Sequence, residues 1–335
     1  MNLTRNIEFQ ESPNLVSCGR EGIAMNWRIK GLTQKVLSAA PGGIVLNTRM
    51  QAALGGLRNF DKAMAAKVDE WILSMKYLEA AGISVRGARI LEIGTGWYPV
   101  LPICFVLAGA ESVVTVDIVP HLTEAGMYRL LRTLEAHIPS IAEITGLTPA
   151  IISNRLELIV NQPNLAAILR SSGIEYRAPE DAGNIELEPN SIDIIYSNSV
   201  LEHVHRKALG DIMRESLRIL KPGGIVMHNV ACNDHYAHFD KSISYVNYLR
   251  YSEAKWRLWN NSLQFQNRLR ASEFLQSAQD AGLEIIARRT HVSPGTHEAI
   301  RTMTIAPEFR GFSEADLVTT TIDFLARKGT GNEAS

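Results

Sequence analysis

Apolar residues along this chain follow two alternating rhythms. Over residues 60–81, Met64, Val68, Trp71, Ile72, Met75, Tyr77 and Leu78 recur every three or four positions and Gly82 follows, which predicts an amphipathic helix with a glycine stop. Short apolar runs then trade places with helical stretches. Residues 89–93 predict a buried strand, 100–107 a helix packed on a sheet and ended by Gly109, and 112–116 a β-branched strand ending at Asp117. Residues 174–177 predict a third strand and 191–196 a fourth, with Asp193 near its polar start. A helix over 205–220 is stopped by Lys221-Pro222-Gly223-Gly224, and 224–230 reads as strand five. Helix 271–281, closed by Gly282, leads to a sixth strand over 283–287. A helix near 297–305 and a last strand near 317–326 finish the pattern. Strands alternating with helices predict an α/β protein with a doubly wound, mostly parallel sheet of seven strands.

Three stretches break the rhythm. Residues 1–45 show no sustained period and read, with the helix that follows, as an N-terminal arm over residues 1–82. Residues 121–170 are helical but longer than one crossover needs, so 138–163 predicts an inserted helical piece. Residues 231–267 are polar and aromatic, from Asp234, His235 and Tyr236 to Trp256, Trp259 and Phe265, and a connection this long is usually functional. The expected division is an arm and helix over 1–82, a main domain over 83–328 and a disordered tail over 329–335. Arm and insertions would roof a site, with the aromatics either lidding a substrate or packing the insertion's own core.

Composition narrows the function. A formal net charge of -1 gives no global field toward nucleic acid or an anionic membrane, so neither is expected as a partner. The three cysteines, Cys18, Cys104 and Cys232, lack zinc or disulfide spacing and fit a reducing cytoplasm. No charged start followed by an apolar run opens the sequence, and the most apolar window, 100–110, is too short to span a bilayer.

The chemistry concentrates where the first strand ends, at Leu91-Glu92-Ile93-Gly94-Thr95-Gly96-Trp97-Tyr98-Pro99. A strand running through glycines into a helix presents backbone N–H groups and a positive helix end to a nucleotide-like ligand. A dinucleotide fingerprint would place its third glycine at Pro99, which speaks against a nicotinamide cofactor. In order along the chain stand this turn, Asp117, Glu180-Asp181, Ser191-Ile192-Asp193, Val200-Leu201-Glu202-His203-Val204 and Leu220-Lys221-Pro222-Gly223-Gly224. From about residue 89 to 326 the chain thereby resembles class I S-adenosylmethionine-dependent methyltransferases. More narrowly, Gly94–Pro99 and the stretch from Asp234 to Arg270 look like bacterial enzymes of surface-polysaccharide or natural-product biosynthesis.

The resemblance implies a Rossmann-like methyltransferase fold and S-adenosyl-L-methionine as cofactor. It places Glu92 near the methionine ammonium, with Gly94, Thr95 and Gly96 around that end of the ligand. Asp117 would bind the ribose hydroxyls, with Ile118 beside it. Asp181, in competition with Glu180, would take the adenine amino group with Ala182 adjacent, and Ser197 and Asn198 would edge the pocket near the sulfonium. Methyl transfer needs alignment and, for a hydroxyl acceptor, a base. His235 is favoured, oriented by Asp234 or Asp240, while His203 is either a second candidate or a polar helix cap. Some class I methyltransferases hold a divalent cation through Glu-x-x-Glu-His, but Ser199 stands at the first glutamate, so no metal is expected; Glu202, His203 and His235 are the set to check. Basic residues on helix 205–220 read as a solvated face. The expected activity is O-methylation of a small hydroxylated molecule or carbohydrate. An RNA or polymer methyltransferase and a non-catalytic cofactor-binding protein are the alternatives.

Overall fold

The computed structural model describes residues 26–39 and 59–330, so the expectations for residues 1–25, 40–58 and 331–335 lie outside the described residues. Strands β1 (Arg89–Ile93), β2 (Ser112–Val116), β3 (Ile174–Arg177), β4 (Ile192–Asn198), β5 (Leu220–Ala231), β6 (Glu284–His291) and β7 (Thr321–Arg327) form one sheet in the order β3-β2-β1-β4-β5-β7-β6. β1 to β5 run parallel, and β7 lies antiparallel between β5 and β6. The winding reverses beside β1, between β2 and β4, which is where an open parallel sheet leaves a crevice at its carboxyl ends.

Both faces of the sheet are covered, and this is why the strands read as nearly continuous apolar runs. Helices α1 (Trp27–Ala39), α2 (Phe60–Ala80), α3 (Val100–Ala108), α4 (Glu124–Leu134), α5 (Ile138–Thr145), α6 (Pro149–Val160) and α7 (Leu165–Ser172) precede β3 in the chain. α2 to α7 pack on the face that carries Ile90, Val113, Ile194 and Met227. The opposite face, with Leu91, Ile93, Val114 and Val226, receives α8 (Arg206–Ile219) and α10 (Ala271–Asp280). Between these two helices lies the short α9 (Glu253–Trp256), and α11 (Thr296–Thr302) and α12 (Glu314–Val318) flank the sheet's last turn of chain.

The first three strands coincide with the sequence pattern, whereas later bounds move. β4 continues to Asn198, so Ser197 and Asn198 belong to the strand rather than to the loop beyond it. β5 begins at Leu220, the proline and glycines being taken into the strand through an irregular register opposite Ile192 and Ile194. β6 extends to His291, and the last stretch splits into α12 and β7.

The insertion at 138–163 does not roof a site. Its helices bury Ile141, Ala142, Ile152, Leu156 and Ile159 in the sheet-covering core, and Arg155 Nη1 donates to Leu107 O at 2.6 Å, at the end of α3 remote from the glycine turn. The segment 231–267 builds a third core instead of a bare lid. Tyr236, Tyr248 and Trp256 are buried there with Trp27 of α1, whose ring lies 5.5 Å from Tyr236 and 5.1 Å from Trp259. Asp240 Oδ2 accepts from Trp27 N at 3.0 Å and fixes the start of α1 on this segment. Arg270, fully buried, ties the segment to α12. Its Nη1 donates to Cys232 O (2.8 Å) and Tyr248 Oη (2.6 Å), and its Nη2 to Asp316 O (2.6 Å) and Thr319 O.

Candidate active site

The glycine turn sits at the crevice, and its neighbours explain its composition. Gly94 has φ +88° and an added Cβ would stand 2.3 Å from Val200 Cγ2, so both the backbone angle and the close approach of the segment after β4 demand glycine. Gly96, at φ +63°, would place a Cβ within 4 Å of no described residue, so its Cα faces open space. Pro99 caps α3 directly after the turn.

Behind the turn a short hydrogen-bond chain enters the core. The Thr95 and Thr115 hydroxyls lie 2.6 Å apart, and Thr115 Oγ1 donates to Glu92 Oε2 at 2.5 Å, so Thr95 donates to Thr115 in turn. Glu92 is buried, and burial pushes its carboxyl up to about 8, against the pull of the Thr115 hydroxyl and the Lys67 charge. A cation reaching this carboxyl would favour its charged form.

Asp117, at the end of β2, is held by two backbone donors: Gly96 N at 2.8 Å to Oδ2 and Val119 N at 3.0 Å to Oδ1. A carboxylate has about four lone-pair sites, so two remain for a ligand. Ile118 is 74% exposed beside it, an isoleucine with no packing partner of its own in the core. Asp181 is exposed and accepts from Gly183 N at 2.8 Å, while Ala182 is buried against the α8 face. Glu180, its rival, is held by its backbone, with its N–H donating to Asp117 O at 2.9 Å.

Ser197 departs from its expected place. Its hydroxyl is buried and shares a 2.7 Å hydrogen bond with His228 Nδ1 inside the sheet, where burial depresses the His228 imidazole to about 3. Its side chain therefore serves the core, because the strand runs on and turns that residue inward. Asn198 points to the opposite face, where its Nδ2 donates to Glu70 Oε2 at 2.6 Å. Glu70 in turn accepts from Lys67 at 2.8 Å. These two α2 residues at the crevice were not singled out from the sequence; an i,i+3 charge pair on a helix looks like a solvated face, and nothing local distinguishes it.

A second group gathers beyond β4 and β5. Glu202 is 1% exposed, and neither of its carboxylate oxygens accepts a hydrogen bond among the described residues. The Glu202 and Ala231 amides bias it toward the charged form without reaching hydrogen-bond geometry, while burial, the larger effect, pushes its carboxyl up. His235 Nε2 lies 4.0 Å from Glu202 Oε1, and the His203 and His235 rings are 5.0 Å apart. One ligand-type atom from each of the three residues falls within 4.8 Å of the others. Burial first, then the neighbouring His203, His238 and Lys30 charges, holds the His235 imidazole well below its usual range, so it is neutral near pH 7.

The two aspartates expected to orient His235 are occupied elsewhere. Asp234 is fully buried and accepts from Tyr236 N at 2.9 Å and Asn247 Nδ2 at 3.0 Å, its carboxyl pushed up to about 7 by burial. Asp240 holds Trp27 N and the Ser242 hydroxyl. Both shape the loop that carries His235, and Glu202 is the carboxylate that faces the imidazole. His203 is no helix cap: its Nδ1 donates to Phe265 O at 2.6 Å. The basic residues of α8 pair with acids, Arg214 with Asp211 and Arg218 with Glu215, as a solvated face does.

A family model described as a methyltransferase domain matches residues 62–288. Among solved structures, a Galdieria sulphuraria protein described as a sarcosine dimethylglycine methyltransferase is similar at 18% identity. The match covers 79% of this chain and 86% of that one, with a TM-score of 0.43. Phosphoethanolamine N-methyltransferase 2 of Haemonchus contortus, in complex with phosphomonomethylethanolamine and S-adenosylhomocysteine, is similar at 17% identity over 78% of this chain and 53% of that one, with a TM-score of 0.43. A SAM-dependent methyltransferase from Methanosarcina mazei gives 16% identity, 74% and 94% coverage and a TM-score of 0.43. No curated protein matches the sequence.

Proposed function

Because this chain belongs to the methyltransferase-domain family and is an S-adenosylmethionine-dependent methyltransferase, we propose that it methylates a hydroxyl of a small molecule or carbohydrate. The acceptor would enter between residues 201–205 and 233–238. His235 carries this reading. It is a neutral imidazole, 15% exposed, facing a carboxylate on a segment whose Val200 packs against the glycine turn. A neutral imidazole there offers its lone pair to a bound hydroxyl, and a positioned base contributes roughly 10²- to 10⁴-fold.

The residues at the turn fit the cofactor. Bound S-adenosylmethionine supplies an electrophilic methyl group on a sulfonium. Glu92 would meet its ammonium, with Thr95 and Thr115 holding the carboxyl in position. Asp117, fixed by two amides, would accept from the ribose hydroxyls with Ile118 against the base. Asp181 and Ala182 would border the adenine. Asn198, with Glu70 behind it, would line the sulfonium end through its side chain, and Ser197 through its backbone alone. The net charge of -1 supports a small acceptor over RNA. Among the described residues no helix is long and apolar enough to cross a membrane.

The test is acceptor-dependent formation of S-adenosylhomocysteine by the full chain, followed by mass spectrometry over panels of phenols, sugars, amines and RNA. Product with hydroxyl compounds, lost in His235→Ala, supports the reading. Turnover confined to amines or RNA overturns it, and cofactor binding without any turnover favours a non-catalytic role.

A further inference from the structure

The Glu202 carboxylate poses a problem that a base at His235 does not solve. A buried carboxyl is normally hydrogen-bonded, paired or bound to a metal. Here neither oxygen accepts a hydrogen bond among the described residues, and the His235 imidazole stands 4.0 Å away. Two imidazoles and one carboxyl group, each contributing one atom within 4.8 Å of the others, make a donor set for a cation.

We propose that Glu202, His203 and His235 bind a divalent first-row transition cation of the zinc type. Three observations converge on it. The donors are two nitrogens and one oxygen, a mixture that suits zinc, cobalt or iron and not magnesium or calcium, which prefer oxygen alone. The Phe265 carbonyl accepts from His203 Nδ1 at 2.6 Å, which fixes the tautomer with the lone pair on Nε2; ligating histidines characteristically donate their other ring N–H in this way. Glu202 arrives on the short turn after β4 and His235 on the turn after β5, so the site joins two strand ends of a rigid sheet. Donors around a tetrahedral ion with bonds near 2.0–2.1 Å stand about 3.4 Å apart. The cluster must therefore contract by about an ångström, and His203, being exposed, is the member with room to move.

Three protein ligands leave a position open toward the crevice. Cation binding and base catalysis compete for the same His235 lone pair. If the acceptor enters here, as proposed above, the cation's charge replaces the imidazole in promoting loss of the hydroxyl proton. Binding itself does not depend on that reading.

Chelator-stripped, desalted full chain is titrated with Co²⁺, reading the visible d–d absorption, and dialysed against Zn²⁺ for metal analysis. The expected result is one metal per chain, with affinity weakened about 10-fold or more in each of Glu202→Gln, His203→Asn and His235→Ala. The first substitution is nearly isosteric and the second lies at the surface, so either can be tested with the fold intact by circular dichroism. Substoichiometric binding by the wild type overturns the proposal, as does stoichiometric binding unchanged in Glu202→Gln and His203→Asn. A bound metal in a protein that methylates no hydroxyl would overturn the acceptor assignment and leave the site standing.

Discussion

The two ends of the crevice solve the burial of acidic groups in opposite ways. At the glycine turn every acid has protein donors: Glu92 takes the Thr115 hydroxyl, and Asp117 takes two backbone amides. Across the crevice, Glu202 is as buried as Glu92 and has none among the described residues. A site whose polar groups are already satisfied is preorganised for a ligand of fixed shape. One left with unmet demand needs something from outside, because an unpaired buried polar group costs about 1–3 kcal/mol and more when charged. On the function proposed above, the turn would serve the cofactor and the Glu202–His235 cluster the acceptor.

Changes confined to one end test that separation. The largest effect is expected for His235→Ala, which should lower turnover roughly 10²- to 10⁴-fold while leaving the cofactor dissociation constant within a few-fold of wild type, as read by calorimetry. Equal losses in both would mean that the ends are one unit.

Glu92→Gln comes next and acts on stability. The carboxyl is raised from 4.5 to about 8 on folding, so its favourable contribution is fully present below pH 4.5 and is lost as pH climbs toward 8. In thermal denaturation above pH 8 the amide should exceed wild type by an amount on the order of a few kcal/mol, and near pH 4 the two should coincide. A gap that does not depend on pH would remove burial as the cause.

Asp117→Ala should weaken the cofactor about 10- to 100-fold, the worth of hydrogen bonds to a charged group, with turnover at saturation little altered. Affinity unchanged in calorimetry would detach Asp117 from the ligand. The smallest effect is a contrast within the turn. Gly94→Ala meets Val200 and should cost about 1–3 kcal/mol more than Gly96→Ala, which faces open space, in denaturant titrations.

How much of this could be read beforehand depended on range. β1, β2 and β3 are short apolar runs whose limits are set by local turn residues, and their limits agree with the pattern. Local composition also marked Glu92, the two glycines and Asp117, because each stands at a fixed offset from a strand end. Where backbone continuity decides, the pattern failed. Ser197 looks like a loop residue, but the strand extends through it and hands its hydroxyl to His228, thirty-one positions on. The aromatics of 231–267 were ambiguous because stacking on a ligand and packing on Trp27 use the same residue types, and only the third dimension separates them. Asp234 beside His235 suggested a dyad from adjacency alone. The carboxyl group that faces His235, Glu202, comes from another strand end.

The buried Arg270 carries one practical consequence. Its guanidinium is a permanent cation held by carbonyl and phenolic oxygens, with no hydrogen bond to a carboxylate among the described residues, and those oxygens come from residue 232, residue 248 and the 316–319 stretch. Anyone grafting the 231–267 segment onto a related sheet would need to carry residues 270 and 316–319 with it. Moved without them, the loop would leave its anchor behind.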